Sequence, residues 1–537
     1  MNMLKICLLD PTSMFLLITL LFLVIFYIKG SNKRSSFKVP PSPTPLPLIG
    51  NLHQLGMGNL HRSLMRLAEK YGNLYNIRFG YQKLTILTGY GATKDALIDQ
   101  ANTFIERFVT PINEAGSEKL GIIFSEGELW RQMRRFTLTT LRDFGMGKKS
   151  IEEKIIEEVG FLVNVFKSYN VLLVQEFLTL VTQQLLDLLV VLVKPVLIFP
   201  GGETKSILAG QPIQPQNTLD TATANIIAVL LFQQRFDYED ESLRRFLTIL
   251  HQIQKDKSSP MVEMINALPF LKFLPGRHKR VMDQTKELMA FLIPTIAKIR
   301  KQLNENDVTN YTEAFLVKQK EEAGNPDSFF HDKSMFRLIT ELFAAGTETT
   351  STTLRWGLLL MMKYPEIQKR VQEEIDREIG TERPPRMEDQ QRLPYTKAVI
   401  YEIMRFASVI TMITRENIAD THLRGYFIPK RSHIIIVLLS VLRDKTYWEK
   451  PDEFNPSHFL NSEGRLVKRE AFLPFGAGSR VCAGQSLAKM ELFLFFTTML
   501  QKLKFQAPAD VTDLDLTPIH GQICFPKPYK LCAISRE

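Results

Sequence analysis

The pattern of hydrophobic residues at the N-terminus predicts a membrane anchor. Residues 11–28 are apolar apart from threonine and serine, and as a helix they would span about 27 Å at 1.5 Å per residue. That length is close to the hydrocarbon thickness of the endoplasmic reticulum membrane, also about 27 Å. Four basic residues follow directly: Lys29, Lys33, Arg34 and Lys38. A cleaved signal peptide requires small neutral residues there, so we predict an uncleaved anchor.

The distribution of charge predicts how this anchor is oriented. More Lys and Arg follow the apolar run than precede it, which keeps the rest of the chain on the cytoplasmic side. A mitochondrial presequence is Arg-rich and amphipathic, whereas the first thirty residues contain no Arg. Residues 29–50 then form a basic, proline-rich linker, in which residues 40–47 predict a semi-rigid polyproline spacer.

Beyond the linker, over residues 51–537, the periodicity predicts several helices and a small β-sheet near the N-terminus. Helical stretches repeat apolar residues every three or four positions, and strands alternate them. The predicted elements are helices over 60–71, 335–364 and 485–503, and strands over 74–79 and 84–88.

Residues 170–216 do not continue this pattern. Residues 171–199 are strongly apolar, but charged residues, glutamines and a proline interrupt them, which argues against a second membrane span. Gly201, Gly202 and Gly210 then predict a loop. We interpret 170–216 as an atypical insertion, either an inserted surface element or a non-native stretch of sequence.

Composition narrows the class of protein. The chain has 537 residues and a net charge of +10, which fits an anionic membrane surface, an acidic protein partner or nucleic acid. Because the sequence has no zinc-finger spacing and no Arg-rich tract with interleaved aromatic residues, we expect no nucleic-acid partner. Four cysteines without a C-x-x-C pair are too few for a disulfide framework, which indicates a reducing compartment. They are Cys7, Cys482, Cys524 and Cys532.

The middle of the long predicted helix breaks the rules of helix propensity. Its sequence over 344–350 is AAGTETT, in which the glycine costs about 1 kcal/mol relative to alanine and the threonines can bond back and bend the axis. Ala345, Gly346 and Thr349 fall on one helix face, so a groove could open there, with the adjacent Glu348 able to relay protons. The alternative is a helix that packs closely against a neighbour at its small residues.

A glycine-rich stretch before the last long helix contains the strongest candidate chemistry. Residues 475–484, FGAGSRVCAG, place Cys482 just before the predicted helix. Unpaired backbone N–H groups and the helix dipole should lower the pKa of this thiol and favour a metal-binding thiolate. Alternatives are a turn with a small buried cysteine and a phosphate-binding loop, but Val481 stands where the dinucleotide fingerprint has its third glycine.

Six residues in this stretch carry a longer pattern, F-G-x-G-x-R-x-C-x-G: Phe475, Gly476, Gly478, Arg480, Cys482 and Gly484. The pattern resembles the haem-binding signature of the cytochrome P-450 superfamily, and the 344–350 helix centre is similar to its oxygen-activation motif, A-G-x-E-T. The resemblance implies the P-450 fold, which is mainly α-helical with small β-sheets (α+β). It would form one haem domain over 51–537 after the anchor, with haem b between the long helix and the Cys482 loop. Cys482 would then be the iron ligand, and Glu348 and Thr349 would deliver protons to reduced oxygen.

The same resemblance implies roles for residues elsewhere. The haem propionates would bind Trp130, Arg134, Arg415 and Arg480; on its own, the Trp130–Arg134 spacing also fits an amphipathic helix with a solvated basic face. An i, i+3 pair, Glu402 and Arg405, would lock the proline-bounded segment 451–459 around the haem, although such pairs are usually surface salt bridges. The apolar substrate pocket would include Ala345, Val409, Ile410 and Ile413.

The resemblance implies a microsomal monooxygenase, closest to vertebrate family-two members, in the endoplasmic reticulum membrane with its catalytic domain facing the cytoplasm. Electrons would come from NADPH through a flavoprotein, NADPH-cytochrome reductase, with cytochrome b5 as a further donor. One atom of O2 would enter a lipophilic substrate such as a fatty acid, a steroid or a xenobiotic. Two alternatives are a same-fold isomerase or synthase and a membrane-anchored haem-binding protein without turnover.

Two surfaces would bring these partners together. An acidic reductase would be steered by a basic patch made of five residues: Arg131, Arg135, Arg142, Lys148 and Lys149. Residues 267–280 combine apolar and basic side chains, and this stretch resembles the family's loop that dips into membrane lipid; a buried core edge is the alternative.

Overall fold

The computed structural model describes residues 12–15, 17–19, 22, 37–56, 58–113, 119–169 and 211–536. Most of the predicted anchor over 11–28 and of the predicted insertion over 170–216 lies outside these ranges. Residues 12–15, 17–19 and 22 are helical, and none of the helices in the described ranges is both long and apolar enough to cross a membrane. The anchor and the insertion therefore stay predictions.

The prediction of a mainly helical fold is confirmed. The helices are, in chain order, α1 (Leu60–Tyr71), α2 (Gly89–Lys94), α3 (Gly127–Asp143), α4 (149–169), α5 (Gln216–Phe232), α6 (Glu241–Lys257), α7 (Pro260–Ala267), α8 (Arg277–Gln302), α9 (Tyr311–Glu321), α10 (Asp332–Lys363), α11 (Pro365–Glu378), α12 (Pro394–Ala407), α13 (Leu438–Leu442) and α14 (Gln485–Lys502). Between them lie short 3₁₀ segments, of which Pro269–Phe273 and Pro456–Phe459 matter below.

The strands form small sheets at the edge of the helical core. They are β1 (Leu74–Phe79), β2 (Gln82–Leu87), β3 (Ile413–Glu416), β4 (Thr421–Leu423), β5 (Tyr426–Ile428), β6 (His433–Ile436), β7 (Leu503–Gln506), β8 (Pro518–Ile519), β9 (Phe525–Pro526) and β10 (Cys532–Ser535). The main sheet has the order β1-β2-β6-β3, with β2 and β6 parallel and the other neighbours antiparallel. The predicted start of the second strand at residue 84 is wrong by two residues, because Phe79 pairs with Gln82 across the tight turn at Gly80.

Helix α10 is the long helix predicted over 335–364, with slightly different ends. It begins three residues earlier, because the His331 side chain accepts a hydrogen bond from the Ser334 N–H (3.1 Å) and caps the first turn. It ends one residue earlier, at Lys363, because the next residue, Tyr364, precedes Pro365 and proline disfavours the helical conformation of its predecessor.

Close packing of α10 against α5 occurs at Gly346. A Cβ on this glycine would lie 2.4 Å from Cδ1 of Ile227, so no larger residue fits without a shift. The Thr223 hydroxyl of α5 also donates to the Thr347 carbonyl at 3.3 Å. The packing interpretation and the groove interpretation of this helix centre both hold, since Gly346 packs against Ile227 of α5 while Ala345 and Thr349 line a cavity beside this contact.

A fully buried ion pair joins α12 to the segment before the Cys482 loop. Arg405 donates to both carboxylate oxygens of Glu402 at 2.7 Å, and neither side chain is exposed. The same guanidinium donates to the carbonyls of Leu442 (3.0 Å), Pro451 (2.7 Å) and Glu453 (2.7 Å). One side chain therefore ties α12, α13 and the 451–459 segment together, which is more than a surface salt bridge.

Candidate active site

A cavity of about 580 Å³ lies between α10 and the Cys482 loop. Its walls come from α5, the long helix α10, residues 408–415, and the loop and helix around Cys482. Most of the site residues predicted from the sequence line it: Arg134, Ala345, Thr349, Val409, Ile410, Ile413, Arg415, Phe475, Gly476, Arg480 and Cys482. Trp130, Glu348, Glu402 and Arg405 do not line it.

The Cys482 loop is held in shape by its own backbone. The Cys482 N–H donates to the Phe475 carbonyl at 3.1 Å, which closes the loop on itself. Gly478 has a φ of +73°, and a Cβ there would lie 2.0 Å from the Leu97 carbonyl oxygen, so the turn and the close approach both require glycine. Helix α14 then begins at Gln485. The loop thus presents the sulfur to the cavity from just before the helix N-terminus.

The electrostatic environment of Cys482 differs from the sequence-based expectation. Burial among protein atoms raises the pKa of its thiol, and the backbone N–H of Gly484 and the charges of Arg134 and Arg107 offset this only in part. The predicted net lowering is therefore wrong for the protein alone, because the sequence argument counted the helix terminus but not desolvation. Among the described cysteines, Cys524 and Cys532 are buried, whereas Cys482 is exposed to the cavity.

Four arginines converge on the cavity at the side of the Cys482 loop: Arg107, Arg134, Arg415 and Arg480. Burial lowers the pKa of each, most strongly for Arg415, and charge repulsion within the group adds to this for Arg107, Arg415 and Arg480. For Arg480 the pKa falls to about 9 even though it pairs with Glu106 at 2.9 Å. So much buried positive charge requires negatively charged partners.

Sequence reasoning missed Arg107. It lies in a loop between α2 and α3 with no helical or motif spacing to mark it, and the acidic Glu106 directly before it makes it look like an ordinary solvated charge. Its Nη1 donates to the Ile123 carbonyl at 3.1 Å, but its buried Nε has no partner among the described residues. The guanidinium of Arg107 is thus oriented by one hydrogen bond, and its Nε is left to donate to a ligand.

Trp130 lies behind the arginines and has a similar unused donor. Its indole Nε1 is buried without a hydrogen-bond partner among the described residues. The Arg480 guanidinium stacks on its ring, with Cζ 3.8 Å from the ring centroid. Arg134 Nη2 donates to the Val481 carbonyl at 2.6 Å, beside the cysteine. Four cations and a thiol on one wall, with the orphaned donors of Arg107 and Trp130 beside them, fit a haem with two carboxylates.

The opposite wall is the face of α10 predicted to form a groove. Thr349 lines the cavity, and its hydroxyl donates back to the Ala345 carbonyl at 2.8 Å. Glu348 is turned away from the cavity: its Oε1 lies 2.9 Å from Nδ1 of His251 on α6. Adjacent residues of a helix point about 100° apart, which is why Glu348 and Thr349 do not share a face.

Glu348 belongs to a buried polar cluster on the far side of α10. His251 also lies 3.6 Å from Asp220 and 2.8 Å from the side-chain nitrogen of Gln216, both on α5. The Ser351 hydroxyl donates to Asp220. Burial lowers the pKa of His251, but the hydrogen bond to Glu348 and the charges of Asp220 and Glu348 outweigh it and raise that pKa to about 9.

Comparison with known proteins identifies the architecture. Residues 40–181 and 204–533 match the sequence model of the family described as Cytochrome P450. The chain belongs to the cytochrome P450 family. It is 41% identical to Cytochrome P450 2K6 of Danio rerio over 534 residues, with 98% of each chain covered. It is 39% identical to Cytochrome P450 2K1 of Oncorhynchus mykiss over 543 residues (100% of each), and 39% identical to Cytochrome P450 2C23 of Rattus norvegicus over 506 residues (94% of each).

Membership of the family fixes the broad chemistry of this P450. It is a haem-thiolate monooxygenase, an oxidoreductase that uses haem b and electrons from NADPH through a reductase. Its nearest relatives among those named are vertebrate family-two members. The family match leaves out residues 182–203, which fall inside the segment 170–216 that the sequence marks as atypical.

Proposed function

We propose that this P450 is a microsomal monooxygenase that inserts one atom of O2 into a lipophilic substrate: a fatty acid, a steroid or a xenobiotic. One observation carries the proposal, namely that a single cavity joins the Cys482 thiol, the four arginines, the Thr349 hydroxyl and a largely apolar wall. Bound haem would supply the activation of O2, and a cysteine thiolate ligand would favour O–O cleavage.

The chain's own residues would hold the cofactor from two directions. Cys482 would provide the sulfur ligand, and Phe475 and Gly476 would shape the loop around it. Arg107, Arg134, Arg415, Arg480 and Trp130 would donate to the propionates, which offsets the cost of burying several guanidinium groups together. The Glu402–Arg405 pair would keep the segment 451–459 in place without touching the cofactor.

Proton delivery is proposed for Thr349 and Glu348, in different ways. The Thr349 hydroxyl already faces the cavity and could donate to reduced oxygen once it releases the Ala345 carbonyl. Glu348 lies on the other side of α10, so it would have to leave His251 before it could exchange protons with the cavity. Glu348 would therefore carry protons only after a change of side-chain conformation, because in its resting position it is paired with His251.

The reductase is proposed to bind the basic patch of the sequence analysis. Its five residues, Arg131, Arg135, Arg142, Lys148 and Lys149, are all exposed. Arg131 has an acidic neighbour, Glu128, at 3.5 Å, a weak and solvated pair. Opposite charges would therefore speed the encounter with an acidic flavoprotein. Cytochrome b5 is proposed to bind the same basic patch.

Contact with the endoplasmic reticulum membrane is supported by an exposed apolar surface. Leu48, Phe270 and Phe273 are 80%, 63% and 70% exposed. The segments that carry them come close together, because Gly50 packs against the Gly80 carbonyl and Gly80 against the Ala267 carbonyl, just before Pro269–Phe273. Such a patch, next to a proposed anchor over 11–28, fits insertion into the lipid interface.

The test combines turnover with spectroscopy. Purified protein with reductase and NADPH should oxygenate lipophilic substrates, and Cys482→Ala should abolish the absorption band of the carbon-monoxide-bound thiolate haem. Thr349→Ala should keep that band but divert reduced oxygen to peroxide. Normal haem binding without oxygenated product would indicate a haem protein without turnover. Rearranged substrate in the absence of NADPH would indicate an isomerase.

A further inference from the structure

The buried polar cluster on the far side of α10 contains a cation without a partner. Arg355 of α10 is 3% exposed, and its Nε and Nη1 have no hydrogen-bond partner in the part of the chain that the structure describes. Its guanidinium forms no ion pair with any described residue and faces the Phe525 ring instead, with Cζ 6.0 Å from the ring centroid. A buried charge is costly unless a partner offsets it.

The acidic residues of this cluster are engaged elsewhere. Asp220 accepts from the Ser351 hydroxyl through one oxygen, and its other oxygen lies 3.6 Å from Nε2 of His251. Glu348 lies 2.9 Å from Nδ1 of the same imidazole. Both carboxylates therefore contact His251, whereas Arg355 interacts with Asp220 only as a more distant charge.

Arg355 lines a small pocket that is separate from the active-site cavity. The other residues that line it come from the start of α5 and from the C-terminal part of the chain: Gln214, Pro215, Gln216, Pro528 and Tyr529. The Tyr529 hydroxyl donates to the Arg355 carbonyl at 2.6 Å, which holds this turn of α10 beside the pocket.

The start of α5 adds further donors to this pocket. Gln216 is the first residue of this helix of 17 residues, and Pro215 before it makes no side-chain cap. The first N–H groups of a helix have no partner inside the helix, and together with the helix dipole they favour an anion. An anion in the pocket would therefore meet a helix N-terminus and a buried guanidinium at once.

From the unpartnered guanidinium and the uncapped helix start that line one pocket, we propose that this pocket binds a small monovalent anion, chloride. The pocket has room for one water-sized group, which chloride matches and phosphate or sulfate does not. The ion would accept hydrogen bonds from Nε and Nη1 of Arg355 and from N–H groups at the start of α5. This inference goes beyond the proposed monooxygenase and does not depend on it.

The test compares chloride with a bulkier anion, gluconate, at constant ionic strength. The thermal midpoint of the haem-loaded protein should rise by about 1–2 °C as chloride replaces gluconate, and the rise should saturate. Haem-loaded protein is used because the propionates then occupy the arginines near Cys482. Arg355→Met should remove the response to chloride. The control, Arg377→Met, changes an exposed arginine of α11 and should retain it.

A second variant decides the case in which Arg355→Met does not fold. Gln214 is exposed and lines the pocket, so Gln214→Glu adds a carboxylate beside Arg355 with little change of shape. This fixed negative charge should raise the midpoint in gluconate and remove the response to chloride.

Three results would overturn the inference. Equal midpoints of the unmodified protein in chloride and gluconate would show that the pocket holds water only. A response to chloride that persists in Gln214→Glu, and in Arg355→Met where it folds, would place the ion elsewhere. Loss of the response in Arg377→Met as well would indicate a general effect of surface charge.

Discussion

Replacing Arg107 tests the arginine cluster in two ways. It separates the contribution of this guanidinium to haem binding from its effect on the stability of the haem-free protein. Arg107→Leu removes one guanidinium from the cavity wall and leaves the Cys482 loop untouched. A hydrogen bond to a charged group contributes about 1.5–3 kcal/mol. If Arg107 donates to a propionate, its loss should therefore speed haem dissociation by about 10- to 150-fold, at 1.4 kcal/mol per factor of ten.

The haem-free protein should respond in a different way. There, Arg107 makes one hydrogen bond, to Ile123, and is attracted by Glu341 and repelled by Arg134. Burial lowers the pKa of Arg107 despite the attraction of Glu341, so the charged guanidinium is held at a cost that offsets its hydrogen bond when no anion is bound. We therefore expect the free energy of unfolding of the haem-free variant to change little, although the holoprotein loses its cofactor faster.

The assay is transfer of haem to excess apomyoglobin, followed by absorbance, together with denaturant unfolding of the haem-free protein. Arg131→Leu is the matched control, because this exposed arginine on α3 should change neither quantity. Haem transfer at the rate of the unmodified protein would refute the assignment of Arg107. A large loss of stability without haem would show that Arg107 is a structural residue instead.

Three further substitutions test the packing and the polar clusters. Gly346→Val should lower the thermal midpoint through its clash with Ile227, and Ile227→Ala should restore it; an additive double variant would contradict this contact. His251→Gln should remove stability that is fully present below pH 6.5 and lost as the pH rises through about 9, seen as converging midpoints of variant and unmodified protein at high pH. Arg405→Leu should cost about 3–5 kcal/mol in denaturant unfolding, because Glu402 is left buried without its partner; a surface-like loss below about 1 kcal/mol would argue otherwise.

The elements of the site were predictable where a local pattern encodes them. The Cys482 loop carries its own glycines, and the small residues of α10 mark a break in helix propensity, so both could be placed from the sequence. Arg107 has no such pattern, since its significance depends on which distant segments face the cavity. A lone basic residue looks the same in a sequence whether it is solvated or buried.

Two expectations about chemistry depended on quantities that the sequence does not contain. The pKa of Cys482 follows from a competition between desolvation and nearby donors, and only the donors could be guessed from a helix N-terminus. The direction of Glu348 follows from helix geometry once Thr349 is known to face the cavity. The sequence could show that the two residues are adjacent, but not which of them faces the site.

The basic and acidic residues that line the cavity do not balance in charge. Its lining has five Arg or Lys residues, while the acidic residues that line it are Glu263, Glu341 and Glu491. Burial raises the pKa of Glu263, and it raises that of Glu491 to about 8, so Glu491 is mainly neutral near pH 7. The cavity is therefore net positive before any ligand enters. An anionic ligand bound in the cavity would stabilise the folded state by offsetting this charge. The two propionates of haem beside Cys482 would do so in part, which is why the same charges that make the empty cavity costly favour the cofactor.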